Sequence, residues 1–104
     1  MTLRTIAHAR SGDKGTTINI SLIAYDAADY PRLVREVTAA RVKARFSGIA
    51  DGDVVRYELP AIGALNFVLS GVRGGGVTRT LALDPHGKSF SSALLDMEIP
   101  DEDA

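Results

Sequence analysis

Ala9-Arg10-Ser11-Gly12-Asp13-Lys14-Gly15-Thr16-Thr17-Ile18-Asn19-Ile20 is the stretch that decides the fold. Apolar runs flank it, Leu3 to His8 before and Ile18 to Tyr25 after. Between them lie two glycines, hydroxyls, an acid and two bases, a pattern that predicts two strands joined by a polar glycine loop. Leu3 to Ala9 is the first predicted strand and Thr17 to Tyr25 the second. On the second, Ile18, Ile20, Leu22 and Ala24 share a face, which puts Asn19 on the opposite one. A glycine turn exposes backbone N–H groups, Arg10 and Lys14 add positive charge, and Ser11 and Thr16 add hydroxyls. Such a cluster can hold a phosphate or carboxylate. It is not a Walker A loop, because the GxxxxGK[ST] spacing is missing and no helix follows directly. A plain hairpin whose Asp13 and Lys14 solvate the tip explains the same residues.

Outward from this stretch, Asp26 to Asp29 reads as a turn. Tyr30-Pro31 opens a helix, with Asp29 placed to cap it. Leu33, Val34, Val37, Val42 and Phe46 make an interrupted apolar stripe, and the bases Arg32, Arg35, Arg41, Lys43 and Arg45 lie mostly elsewhere. Thr38 can cap a second helix, so a break is predicted near that residue. Ser47-Gly48 ends the segment. Val54 to Leu59 is a predicted strand stopped by Pro60. The apolar run from Ala61 to Ser70 suits helix and strand equally by spacing. The glycines within and after it favour a short buried helix. Val77 to Leu83 follows as a strand, Asp84-Pro85-His86-Gly87 as a tight turn, and Lys88 to Ile99 as a short helical piece with a terminal strand. The sum is an α+β sandwich: a mostly antiparallel sheet of four or five strands with helices on one face.

A chain of 104 residues predicts a single domain over 1–104. The absence of cysteine excludes a disulfide framework and a thiolate site. A net charge of −1 argues against nonspecific nucleic-acid binding. No apolar run approaches the roughly 20 residues of a membrane helix. Met1-Thr2-Leu3-Arg4 shows no leader pattern, and a cytoplasmic location is expected. The charge is uneven: residues 1–50 hold eight Arg/Lys and four Asp/Glu, and residues 51–104 hold four and nine. This describes either a solvated basic helix with an acidic tail or a basic surface for an anionic partner.

Other residues carry candidate chemistry. Asn66 is the lone polar residue in Ile62 to Leu69, where it caps backbone or meets a ligand. Gly74-Gly75-Gly76 with Thr78 and Arg79 forms either a second close-approach loop or a flexible connector. His8 and His86 lack metal-site spacing, and Ser11 faces away from His8, so neither a metal nor a nucleophile triad is expected.

Read together, Ala9 to Gly15 with Asn19-Ile20 resembles the signature of the small C-terminal domain of the AtuA family, the acyclic terpene utilisation proteins. Leu59-Pro60-Ala61-Ile62-Gly63-Ala64-Leu65-Asn66-Phe67-Val68-Leu69, Gly74 to Leu81 and Ala93 to Ile99 resemble its later blocks. The resemblance implies a ferredoxin-like fold and a role linked to catabolism of acyclic terpenoids or related branched acids through acyl-CoA intermediates. No cofactor is expected, and the large N-terminal domain of full-length members is absent from this sequence. The polar blocks Arg10, Ser11, Gly12, Asp13, Lys14, Gly15 and Asn19, then Asn66, then Gly75, Gly76, Thr78 and Arg79 are expected to converge at one edge of the sheet. There they form an anionic-ligand site or the seam with a partner. Three functions follow, in order: a non-catalytic subunit of a large AtuA-like protein, an acyl-CoA-binding domain or enzyme, and a self-assembling module.

Overall fold

The computed structural model describes residues 1–72 and 89–101. A 3-10 turn at Leu3–Thr5 leads into strands β1, Ala7–Lys14, and β2, Thr17–Ala24. Helices α1, Tyr30–Glu36, and α2, Ala39–Arg45, follow. Next come strands β3, Val54–Leu59, and β4, Ala64–Leu69, and then helix α3, Ser89–Leu95. The sheet is antiparallel throughout and has the order β1-β2-β4-β3. Each half of the chain runs hairpin then helix, and the order reads the same when the halves are exchanged. This is the α+β, ferredoxin-like sandwich that the sequence predicts.

Alternation builds the core. Ile18, Ile20 and Leu22 of β2 meet Leu69, Phe67 and Leu65 of β4 across the central ladder, and all six are buried. Burying side chains of this size contributes about 1.5–3 kcal/mol each. The helices close this face with Leu33, Val37, Val42, Phe46, Phe90 and Leu94. Phe46 and Phe90 pack with ring centroids 5.6 Å apart. The helical segment breaks where Thr38 stands, because its hydroxyl accepts from the Arg41 N–H and starts α2 afresh. The N-terminal segment is tied to the C-terminal one: Leu3 N–H donates to Met97 O at 3.0 Å and Ile99 N–H to Met1 O at 2.8 Å.

Four expectations are corrected. Leu3–Thr5 is a 3-10 turn, and the strand starts at Ala7. The cap before α1 is Asp26, whose carboxylate accepts from Ala28 N–H, whereas Asp29 makes no side-chain cap. Ala64–Leu69 is a central strand, not a buried helix. Gly63 and Gly71 do not interrupt it, since they sit beyond its ends with φ of +63° and +69°. After α3 the chain makes an isolated bridge, Thr2 with Glu98, in place of a terminal strand. The predicted strand Val77 to Leu83, the turn Asp84 to Gly87 and the loop Arg73 to Gly76 lie outside the described residues.

Two glycines allow the base of the second hairpin to close. Asp51 N–H donates to Gly71 O and Gly52 N–H to Ser70 O, both at 3.1 Å. A Cβ on Gly71 would lie 2.6 Å from Gly52 N, in a backbone that already has positive φ. Gly48 has φ of +90° but open space around it. Gly71→Ala is therefore expected to lower stability by about 2–4 kcal/mol, strain and overlap together. Gly48→Ala should cost only about 1–2 kcal/mol. Urea unfolding of the two variants checks the difference.

Candidate functional site

Directly opposed residues in an antiparallel ladder share a face of the sheet. The register therefore sorts the candidate residues by parity. One row across the sheet is Arg10, Ser21, Asn66 and Tyr57. Towards the first turn lie Gly12, Asn19, Val68 and Val55; towards the other end lie His8, Ile23, Ala64 and Leu59. Lys14 opposes Thr17 at the tip. All these residues occupy the face opposite the core set; Ala64 is buried there, and no helix among the described residues packs on that face. Arg10, Gly12, Lys14, Asn19 and Asn66 are thus brought together on the open face. Ser11 and Asp13 are not: they oppose Ile20 and Ile18 and belong to the other face. Gly75, Gly76, Thr78 and Arg79 lie outside the described residues.

The predicted polar loop is mostly strand. Arg10 to Lys14 continue β1, and only Gly15 and Thr16 form the turn. Gly15 has φ of +66° and no non-glycine residue among those described, Thr16 included, has positive φ, which is the sign pattern of a type II′ hairpin turn. Val72 N–H donates to Thr16 O at 2.9 Å and pins the tip. The amides of Ser11 to Lys14 belong to a β-strand rather than to a cradling loop. An anion held at this end would rest on the side chains of Arg10 and Lys14 alone.

Those two bases differ from the rest. Arg56 donates to Val34 O at 2.8 Å, Val37 O at 3.0 Å and Glu58 Oε2 at 2.9 Å. Arg41 donates to Glu36 O at 2.8 Å and Glu98 O at 2.9 Å, and Arg45 to Ala93 O at 2.7 Å. Arg32 is buried and donates to Pro100 O. The basic helical segment thus spends much of its charge on carbonyl groups at helix ends and in connecting segments. Arg10 and Lys14, exposed on β1, have no hydrogen bond or ion pair to any of the described residues. Beside Arg10, Ser21 Oγ donates to Asn66 Oδ1 at 3.2 Å. The Asn66 side-chain nitrogen has no partner among the described residues.

The opposite margin of the open face is apolar. Val55, Tyr57 and Leu59 of β3 are 44%, 52% and 42% exposed. Ile62 lies beyond them, and Tyr25 stacks on His8 with ring centroids 5.1 Å apart. Sequence reasoning missed Ser21 and Tyr57 as members of this surface. The signal was the alternation of Val55, Tyr57 and Leu59 against Val54, Arg56 and Glu58, which marks a strand with one side left over. A depression of about 410 Å³ lies elsewhere, against α2, lined by Arg41, Ala44, Arg45, Met97 and Glu98. Its guanidinium groups are already engaged internally. No group of three or more His, Cys, Asp or Glu that could hold a metal occurs among the described residues. No helix among them is long and apolar enough to cross a membrane.

The family model described as AtuA ferredoxin-like domain matches residues 1–100. The chain belongs to the AtuA ferredoxin-like domain family. No curated protein and no solved structure gives a match. In this AtuA ferredoxin-like domain the signature stretch forms the first hairpin, and the second block forms the central strand β4 with its Asn66 on the open face.

Arginines of the two kinds should separate on substitution. Arg56→Ala leaves two carbonyl groups at the end of α1 without a donor and is expected to lower stability by about 2–3 kcal/mol. Arg10→Ala and Lys14→Ala should change it by less than about 0.5 kcal/mol. Chemical denaturation of the three variants measures this.

Proposed function

We propose that this chain is a non-catalytic binding module that associates with a large AtuA-like protein through its open sheet face. Its setting would be the catabolism of acyclic terpenoids or related branched acids through acyl-CoA intermediates. The observation supporting it is the composition of that face: exposed Val55, Tyr57 and Leu59 on one side and, on the other, Arg10 and Lys14, exposed and without a partner among the described residues. Tyrosine and arginine are the residue types that anchor protein interfaces. A broad sheet surface suits a protein better than a small molecule, whose sites are concave. Family membership supports the AtuA-related role.

A second reading has its own support. Arg10, Lys14 and the Asn66 amide offer donors without acceptors among the described residues, which suits a phosphate- or carboxylate-bearing ligand such as an acyl-CoA. Side chains alone would carry that affinity, because the backbone here is a ladder strand.

Co-expression with a large AtuA-like protein tests the first reading. Co-purification is expected, with Tyr57→Ala reducing affinity by about tenfold or more. No association at tens of micromolar under native conditions would contradict it. A shift in melting temperature with millimolar CoA or acyl-CoA, abolished by Arg10→Ala, would favour the second reading instead.

A further inference from the structure

The open face is complementary to itself. From the β1 margin to the β3 margin, its middle row runs Arg10, Ser21, Asn66, Tyr57. Lys14 stands at the tip of the same margin as Arg10. One margin is cationic; the other is aromatic and apolar.

We infer that this face pairs with the same face of a second copy, about a two-fold axis running parallel to the strands. That axis lays β1 over the second copy's β3 and β2 over its β4. Arg10 then meets Tyr57 and Ser21 meets Asn66, each twice. Stacked sheets pack about 10 Å apart with strands within about 30° of alignment, so long side chains such as these reach one another. An arginine over a tyrosine ring is an attractive cation–π pair. The Asn66 nitrogen, which has no partner among the described residues, gains an acceptor in the facing serine hydroxyl.

The alternative two-folds are worse. An in-plane axis perpendicular to the strands lays β1 on β1 and brings the cations of both copies together. Edge-to-edge pairing of β1 keeps residue parity, so Arg10 and Lys14 again share one face with their own copies. Like charges directly opposed are destabilising. The pairing uses four strands of six to eight residues. The face measures roughly 400 Å² per copy in projection, from strand spacing and rise. That places the dimer at the small, weak end of specific interfaces.

This inference deepens the docking reading, because it uses the same face, but it requires no other protein. A large partner and a second copy would compete for that surface. The test is therefore made on this chain alone, by sedimentation equilibrium from about 5 to 500 μM. The expected result is reversible association to twice 11.0 kDa. Tyr57→Arg opposes two cations at each end of the row and should weaken the dimer about tenfold or more. The exchange variant Arg10→Tyr with Tyr57→Arg restores both pairs and should return the dissociation constant to within about threefold. Both positions are exposed, and a melting curve for each variant confirms folding. A monomer across the whole range overturns the inference, as does a dimer indifferent to Tyr57→Arg or one that the exchange fails to rescue. Co-purification with a large AtuA-like protein is read separately, so either idea can fail without the other.

Discussion

The antiparallel pairing of β2 with β4 is the constraint on which the molecule depends. Among the described residues it is the one ladder that joins the two halves of the chain. Its register, Ile20 opposite Phe67 and Ser21 opposite Asn66, sends six large apolar side chains towards the helices. The same register sends Asn19, Ser21, Asn66 and Val68 the other way. Side chains alternate with period two, so a slip of one residue would place Asn66 among the helices and expose Phe67. The cost of burying an unpaired amide while exposing a phenylalanine fixes the register. Core and open face are thus two consequences of one choice.

Charge is divided along the same lines. On the helical side, arginines act as structural donors. Arg56 reaches from β3 to the last carbonyls of α1, and Arg41 and Arg45 reach carbonyls beyond their own helix. The bonds of Arg56 and Arg45 satisfy carbonyls that the ends of α1 and α3 leave without partners. On the open side, Arg10 and Lys14 find no acceptor among the described residues. The excess of basic residues in the first half of the sequence therefore has two meanings, one structural and one directed outward. Composition alone does not separate them.

Much of the fold is legible in the residues. The alternation of Ile18, Ile20 and Leu22 identifies β2, and Pro60 after Leu59 ends β3 where expected. Thr38 between two apolar stripes marks the break that separates α1 from α2. The strand β4 was harder to read, because Gly63 and Gly71 invite a breaker interpretation. Their positive φ values place them in the bends that bound the strand, and Leu65, Phe67 and Leu69 alternate cleanly between them. Asp29 looked like a cap by position, yet the chain turns three residues earlier, at Asp26, which caps the 3-10 turn leading into α1. For the site, the outward direction of Asn19 was readable from its neighbours. The convergence of Arg10, Asn66 and Tyr57 was not, since it needs the pairing of strands more than forty residues apart. Ser11 and Asp13 left the group for the same reason: a loop would let them turn, whereas a strand fixes them by parity.

Interstrand nuclear Overhauser effects across the central ladder test the account most directly. The register predicts close backbone contacts pairing Asn19 with Val68, Ser21 with Asn66, and Ile23 with Ala64. Contacts displaced by one residue, such as Ser21 with Leu65 or Phe67, would move Asn66 to the helical side. That result would dissolve the row from Arg10 to Tyr57 on which the open face is built.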